Sequence, residues 1–443
     1  MRALLANRVY RRLFAAQVIA LVGTGLATVA LGLLAYDLAG ERAGEVLGTA
    51  LAIKMVAYVC VSPLVGAIAD RVPRRFLMVG ADLIRVVVVA LLPLVGSVWQ
   101  VYLLIAVLQA ASAAFTPVFQ STLPDVLPDE RDFTAALSAS QVAVSLENIL
   151  SPLLAAALLF VIDFSTLFVG TAFGFVASAV LVHGASVPAA TRSARDRFVD
   201  RLSSGVKIMA RTPRLRTVLA LNMVIAGTGA VTLVSTVNVV RVLLGGGENQ
   251  VPLLLAASGT GTALAALGAP ILLRHWTERR VMLSGAVLAV LAVSGAVVLS
   301  LAPSWALAAA VWVTIGAGTG TILVPIGRVI RASSTPQDRP ALFAAQFSLS
   351  HGCWLITYPL TGWVGTLAGF TVAWSASAVI VVTAAVSARL LCASGTTTVV
   401  RHSHDDSAGH DHLAGAESSE GTWVHTHHVV IDDNHRRWPS AVG

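Results

Sequence analysis

The last fifty residues of the chain carry eight of its eleven histidines. These eight are His402, His404, His410, His412, His425, His427, His428 and His435. Three His-x-His pairs occur among them, and in an extended chain the first and third residues lie on the same side, so each pair can chelate one ion. Imidazole suits nickel, cobalt, copper and zinc, and affinity alone does not choose among these metals. The tail is therefore a candidate metal-binding segment.

The tail is not uniform in composition. Residues 401–421 are rich in Gly, Ala, Ser and Asp, which predicts a disordered chain. Residues 422–431 alternate aromatic or β-branched residues with histidine and predict a short strand or a docked segment. The alternative interpretation of the whole tail is a solvated end that binds metal only incidentally.

Three ionisable residues lie deep inside apolar stretches of the chain: Lys54, Glu147 and His351. Ionisable groups in a bilayer are costly and usually functional. We predict that Glu147 carries a proton or binds a cation beside Lys54, that Asn148 adds a polar group, and that His351 binds metal or relays protons. The alternatives are a structural Lys54–Glu147 bond between two helices and a packing histidine with a hydrogen bond.

A short turn at residues 66–75 reads Gly-Ala-Ile-Ala-Asp-Arg-Val-Pro-Arg-Arg and separates two apolar runs. Its four charges exclude it from lipid, and its arginines mark that side as cytoplasmic. An Asp at the end of one helix can pair with basic residues of the next and part from them when the helices open. We therefore predict a gating latch, the alternative being an ordinary positively charged loop. The latch residues are Gly66, Asp70, Arg71, Arg74 and Arg75.

One further charged pair stands on the third apolar run. Asp82 and Arg85 are three positions apart, which places them on one helix face. We predict a structural ion pair near the cytoplasmic end of that helix.

The elements that position these residues are membrane spans. The 443 residues are 56% apolar and 12% charged, whereas a soluble domain carries about 25% charged residues. A span needs about 20 apolar residues, and the first apolar run is too long for a cleavable signal. Twelve runs qualify: 13–37, 45–69, 76–96, 100–122, 138–161, 164–187, 215–243, 251–273, 281–301, 305–327, 341–366 and 370–391.

The distribution of basic residues predicts the orientation. Nearly all of the 30 Lys and Arg residues fall on the side that carries both termini, which predicts a multi-pass protein of the cell membrane with cytoplasmic termini. The long connection at 188–214 is basic and predicts an amphipathic surface helix. The predicted domains are a first half at 1–187, this linker, a second half at 215–392 and the tail at 393–443.

The turn pattern Gly-x-x-x-Asp-Arg-x-x-Arg-Arg resembles the signature loop of the major facilitator superfamily, with Pro73 where that family usually has Gly. The prolines at 117 and 152 recur at matching places as Pro325 and Pro359, so the halves look like copies. The resemblance implies an all-α membrane protein with twelve transmembrane helices in two pseudo-symmetric six-helix halves. It also implies a substrate site near the midplane between them, followed by a largely disordered tail.

A major facilitator body with a histidine-rich tail is similar to the nickel-resistance exporters of the NreB type. The stretches Leu146-Glu147-Asn148, Ser151-Pro152 and 339–346 fit that branch. The resemblance implies efflux of Ni²⁺ and Co²⁺ in exchange for protons by alternating access. The tail would then collect or sense the ion at the cytoplasmic mouth.

Two other functions remain open from the sequence. One is a proton-coupled exporter of drug-like organic molecules with an incidental tail, and the other is a non-transporting membrane protein whose tail senses or buffers metal. No motif for covalent catalysis or nucleotide binding occurs, so we expect neither an enzyme nor a cofactor. The expected partners are the lipid bilayer and a small substrate or metal ion, with no nucleic acid, and the expected state is a monomer.

Overall fold

The computed structural model describes residues 6–39, 43–69, 71–159, 161–189, 198–246, 250–393, 399–404, 417–419 and 422–428. The first half consists of six helices that run alternately up and down: α1 (Arg8–Ala39), α2 (Ala43–Ile68), α3 (Arg74–Leu91), α4 (Val98–Val126), α5 (Glu130–Leu158) and α6 (Phe164–His183). A short 3₁₀ turn, Leu92–Leu94, ends the third span.

The second half follows a surface helix that lies within the basic linker. That helix is α7 (Phe198–Arg211), and the helices after it are α8 (Pro213–Asn238), α9 (Val251–His275), α10 (Glu278–Leu301), α11 (Trp305–Ala332) and α12 (Arg339–Ala393). A π-helical turn, Val239–Leu243, closes the seventh span. The last helix contains two spans that meet at a kink at Gly369, whose φ of 83° is a left-handed conformation that favours glycine.

In the part of the chain that the structure describes, nine helical segments are long and apolar enough to cross a bilayer. Many of their large apolar side chains are exposed, as expected for surfaces that face lipid tails. The chain is therefore a multi-pass membrane protein. The helix α5 begins eight residues before the predicted span, because Glu130, Arg131 and Asp132 make its first turn polar. Asp129 caps that turn by accepting from the backbone N–H groups of residues 131 and 132.

Each half has its own apolar core, and the two halves meet along α2, α4 and α5 on one side and α9, α11 and α12 on the other. We call the end of the bundle where α1 begins and α12 ends the terminal face. Glycines allow some helices to touch backbone to backbone. A Cβ at Gly316 would lie 1.8 Å from the carbonyl oxygen of Ser258, so α9 and α11 form one tightly joined pair.

The tail contains a three-stranded antiparallel sheet. Its strands are β1 (Val399–His404), β2 (Glu417–Ser419) and β3 (Thr422–His428), and β3 lies in the centre. The strand predicted within 422–431 is therefore present over its first seven residues. Part of the stretch predicted to be disordered is strand as well, because residues 401–404 and 417–419 pair with β3. Residues 405–416 and 420–421 lie outside the described residues.

Candidate functional site

A cavity of about 460 Å³ lies between the two halves. Helices α1 to α5 line it from the first half, and α8, α11 and α12 line it from the second. Six aromatic side chains form much of its wall: Tyr58, Phe115, Phe119, Phe343, Phe347 and Trp354. Amide and hydroxyl groups make up most of the polar lining. Among the described lining residues the ionisable side chains are those of Tyr58, Arg85 and His351, and none is a carboxylate.

His351 lies on the cavity wall and connects the two halves through Tyr58. Their rings meet edge to face with centroids 4.7 Å apart, and Phe347 packs against both. The His351 Nδ1 lies 2.7 Å from the backbone oxygen of Phe347. Because a carbonyl only accepts, Nδ1 is the donor in this bond.

Lys54 joins this group from the same helix as Tyr58. Its Nζ lies 5.6 Å from the centre of the Tyr58 ring, a distance at which a cation is attracted to the ring face. It also lies within electrostatic range of both Glu147 and His351. Lys54 therefore lies near each of the other two residues that were predicted to converge with it.

Glu147 itself lies beside the cavity and not on its wall. Its half-buried side chain sits where α5 crosses α1, since a Cβ at Gly25 would lie 2.9 Å from the Glu147 Oε1. Val144, one helical turn earlier, is the residue of α5 that lines the cavity at this level. The side chain of Asn148 lies outside the described part of the chain.

Asp82 and Arg85 form the predicted ion pair, but at a different depth. Arg85 stands eleven residues into α3, about 16 Å from the terminal face, so the pair is near the middle of the membrane and Arg85 reaches the cavity. Both side chains are buried, and the shortest distance between Arg85 Nη2 and Asp82 Oδ1 is 3.4 Å. Ser178 donates to the other carboxylate oxygen at 2.7 Å.

A second buried polar pair lies within the second half. The side-chain amides of Asn222 on α8 and Gln346 on α12 bond to each other in both directions, at 3.1 and 3.0 Å. Both residues line the cavity. The pair satisfies two amides that would otherwise be unpaired in an apolar surrounding, and it joins the two helices of that half.

The terminal face is closed by contacts between the two halves. Asp125, at the end of α4, accepts from Arg74 of its own half at 2.6 Å and from Arg339 of the other half. Nearby, Arg328 bonds to Glu130 of the first half at 2.7 Å and to Glu278 of the second at 2.8 Å. A cluster of charges thus holds the first half against the second.

Uncharged contacts continue this closure toward the cavity. Ser62 on α2 donates to the backbone oxygen of Ala344 at 2.9 Å, and Ser348 on α12 donates to that of Val59 at 2.6 Å. In the described residues, the polar contacts that join the halves lie between the terminal face and the cavity. This structure is therefore a conformation closed at the terminal face.

The predicted latch residues have different surroundings. Gly66 is buried against α12, and a Cβ there would lie 2.5 Å from the Ala344 Cβ. Arg71 is exposed, and Arg75 lies within its own half, 3.4 Å from the backbone oxygen of His183. Asp70 lies outside the described residues. The described ion pairs that cross the halves are Asp125–Arg339 and Glu130–Arg328, which the sequence reasoning did not single out.

The tail sheet brings part of the histidine set together. His402 on β1 lies directly opposite His425 on β3. Because opposite and alternate residues share one face of an antiparallel pair, the register places the positions of His402, His404, His425 and His427 on one face. His428 falls on the other face, and the remaining three lie outside the described residues. Where side chains are described, no group of three or more metal-binding residues occurs.

Comparison with known proteins places the chain in a family. The family model described as Major Facilitator Superfamily matches residues 13–245. Macrolide efflux protein A of Streptococcus pyogenes is 25% identical over 185 residues, or 40% of this chain and 45% of that protein. The protein of the same name from Enterococcus faecalis is 25% identical over 182 residues, or 38% and 56%. The chain thus spans about half the length of these curated relatives.

A solved structure is similar to this chain over most of its length. The human organic anion transporter MFSD10 (TETRAN) superposes with a TM-score of 0.71 at 12% identity, over 86% of this chain and 99% of that one. At this identity the likeness establishes the fold alone. The predicted fold, an all-α body of two six-helix halves, is therefore confirmed. Since the family model covers more than half of the residues, the chain belongs to the major facilitator superfamily of membrane transporters.

Proposed function

We propose that the protein exports organic molecules of drug size from the cell in exchange for protons. The observation that carries this proposal is the cavity between the halves, whose described lining is aromatic and amide-rich and contains no carboxylate. Its volume of about 460 Å³ falls within the range of about 300–1,000 Å³ that is usual for small-molecule sites. The names of the curated relatives, which are macrolide efflux proteins, support the same direction of transport.

The charges around the cavity argue against a divalent cation as cargo there. A bare metal ion needs several oxygen, nitrogen or sulfur ligands, and usually carboxylates that offset its charge. Here the charged side chain on the wall is Arg85, and Lys54 stands close by. Asp82 and Glu147 offset these two charges but do not line the cavity, so the described wall offers a metal ion no carboxylate ligand. Aromatic rings and amides instead accommodate an organic molecule by apolar contact and hydrogen bonds.

For the coupling we assign Glu147 as the proton carrier and Lys54 as its partner. Binding of a proton neutralises Glu147 and releases Lys54, and loss of the proton restores the attraction between them. The exchange takes place beside the cavity, so that a proton and a substrate need not occupy the same space. We place both termini in the cytoplasm, which makes the present conformation closed toward the cytoplasm.

Uptake into inverted membrane vesicles tests the proposal. With an imposed proton gradient, we expect accumulation of a macrolide such as erythromycin and no accumulation of Ni²⁺. The variant Glu147→Gln should lose gradient-driven accumulation but keep exchange of labelled for unlabelled macrolide, because exchange needs no proton. Loss of both activities would remove Glu147 from coupling, and absence of macrolide uptake by the unaltered protein would count against the proposed substrate class.

The matched control is Asp163→Asn. Hydrogen bonds from Ser165 and Thr166 hold the pKa of Asp163 below its usual range, which favours its ionised form. It lies in the exposed connection between α5 and α6, away from the terminal face. Removing this carboxylate should leave gradient-driven uptake unchanged.

A second candidate function is efflux of Ni²⁺ or Co²⁺, with the tail as a metal-binding module. The observation that favours it is the strand register, which places four histidine positions on one face of the tail sheet. We expect cells that carry the full chain to tolerate more NiCl₂ than cells that carry residues 1–393. Equal tolerance would remove the tail from this function, and metal binding by the purified protein without Ni²⁺ flux would instead indicate a sensor or buffer.

A further inference from the structure

Arg85 is held in the cavity wall between two aromatic rings. Its guanidinium lies 4.6 Å from the centre of the Phe115 ring on α4 and 5.1 Å from that of Phe175 on α6. Only 4% of the residue is exposed. Attraction to the two ring faces offsets part of the cost of burying the charge and fixes the plane of the group.

Two of the three nitrogens of this guanidinium have no hydrogen-bond partner in the described protein. Among the described residues, the buried Nε and Nη2 of Arg85 have no acceptor in hydrogen-bond geometry. Asp82 lies near enough for an ion pair, but its contact at 3.4 Å is not a hydrogen bond, and its bond from Ser178 engages the other oxygen.

A buried N–H group without a hydrogen-bond acceptor costs free energy, and such groups usually have a partner. Arg85 is one of the residues that line the cavity, near the middle of the membrane. A molecule in the cavity is thus placed to supply the missing acceptor.

We propose that Arg85 is the group that anchors the transported molecule, through an anionic oxygen group of that molecule, of which a carboxylate is the best match. A planar guanidinium bonds a carboxylate with two parallel N–H donors, and this pairing is stronger than one between neutral groups. Asp82 positions the guanidinium and keeps the empty site close to neutral. The apolar part of the molecule packs on Phe115, Phe119 and Phe347. This inference rests on the proposed transport of organic molecules and predicts that organic acids are among them.

Binding of two ligands of equal size tests the inference in the purified full-length protein. We would measure 2-naphthoate and 2-naphthamide by equilibrium dialysis, because the two differ only in carboxylate against amide. The unaltered protein should bind the acid at least 10-fold more tightly. In the double variant Asp82→Asn/Arg85→Gln, which avoids an uncompensated buried charge, the acid should weaken roughly 10- to 100-fold and the amide by less than 3-fold. In Arg85→Lys the affinity for the acid should lie between those of the unaltered protein and the double variant. Lysine keeps the positive charge but lacks the two parallel N–H donors of the guanidinium.

Equal binding of the two ligands by the unaltered protein would overturn the inference, and so would a preference for the acid that survives in the double variant. Thermal unfolding of each variant confirms that it is folded. The outcome is independent of the vesicle assay above. Selective binding of the acid without any macrolide uptake would support the anchor and reject the proposed export of macrolides. Macrolide uptake without binding of the acid would support the proposed export of macrolides and reject the anchor.

Discussion

The ion pair between Asp125 and Arg339 should stabilise the conformation that is closed at the terminal face. Arg339→Gln removes this contact and leaves the rest of the charge cluster in place. It is a cleaner change than Asp125→Asn, because Asp125 also neutralises Arg74 within the first half, where the contact persists whichever way the halves move. Because Arg339 bonds across the halves, its removal destabilises only the closed conformation.

The size of the effect follows from burial. The side chains of Arg339 and Asp125 are 15% and 20% exposed, so their charge-assisted bond is only partly screened by water. Such bonds contribute about 1.5–3 kcal/mol. Arg331 lies within electrostatic range of both residues and repels Arg339, which favours the lower end. We therefore expect a loss of about 1.5–2 kcal/mol, or roughly a 10- to 30-fold shift in population.

Cysteine labelling measures this shift. Gln120 lines the cavity on α4, so a cysteine there, in a protein without its natural cysteines, is shielded from the terminal face while the halves are closed. A membrane-impermeant maleimide applied from that face should react 10- to 30-fold faster when Arg339→Gln is added. The control is Arg216→Gln, which removes an exposed arginine at the start of α8. An unchanged rate in Arg339→Gln would show that this pair does not hold the closed conformation.

Two further predictions concern the second half. Gly316→Ala should destabilise the second half by about 1–3 kcal/mol, because the added Cβ would overlap the Ser258 carbonyl oxygen. Thermal unfolding in detergent measures this loss. The control Gly268→Ala should be nearly neutral, because a Cβ there meets nothing within 4 Å. Asn222→Ala should cost about 1–3 kcal/mol by leaving the buried Gln346 amide unpaired. Adding Gln346→Leu should recover part of that loss in the same unfolding measurement, and no recovery would contradict the reasoning.

The sequence was sufficient to predict the all-α fold in two halves and the nine described segments that qualify as membrane spans. A span must be about 20 apolar residues long whatever its neighbours are, so hydropathy alone locates it. The helix α5 begins before the predicted span, since Glu130 and Asp132 lie outside the apolar run while the helix continues through them. Hydropathy reports burial in lipid and not helicity.

The surroundings of the individual side chains could not be predicted in the same way. The depth of Glu147 follows from its place in the span, but which side of α5 faces the cavity depends on how that helix packs against α1 at Gly25. Likewise, Asp125 and Arg339 are far apart in sequence, and only the docking of the two halves brings them together. The sequence shows only that each half has a charged residue at the end of a span. It does not show that Asp125 and Arg339 pair with each other.

Short connections leave little exposed chain on the side opposite the terminal face. The two last spans are joined at Gly369, and residues 95–97 and 302–304 are complete connections of three residues each. An antibody raised against that side would have few loops to bind, whereas the mouth of the cavity is a concave surface. A small binder with one long protruding loop, such as a nanobody, is therefore the better choice for inhibition or for a fiducial in electron microscopy.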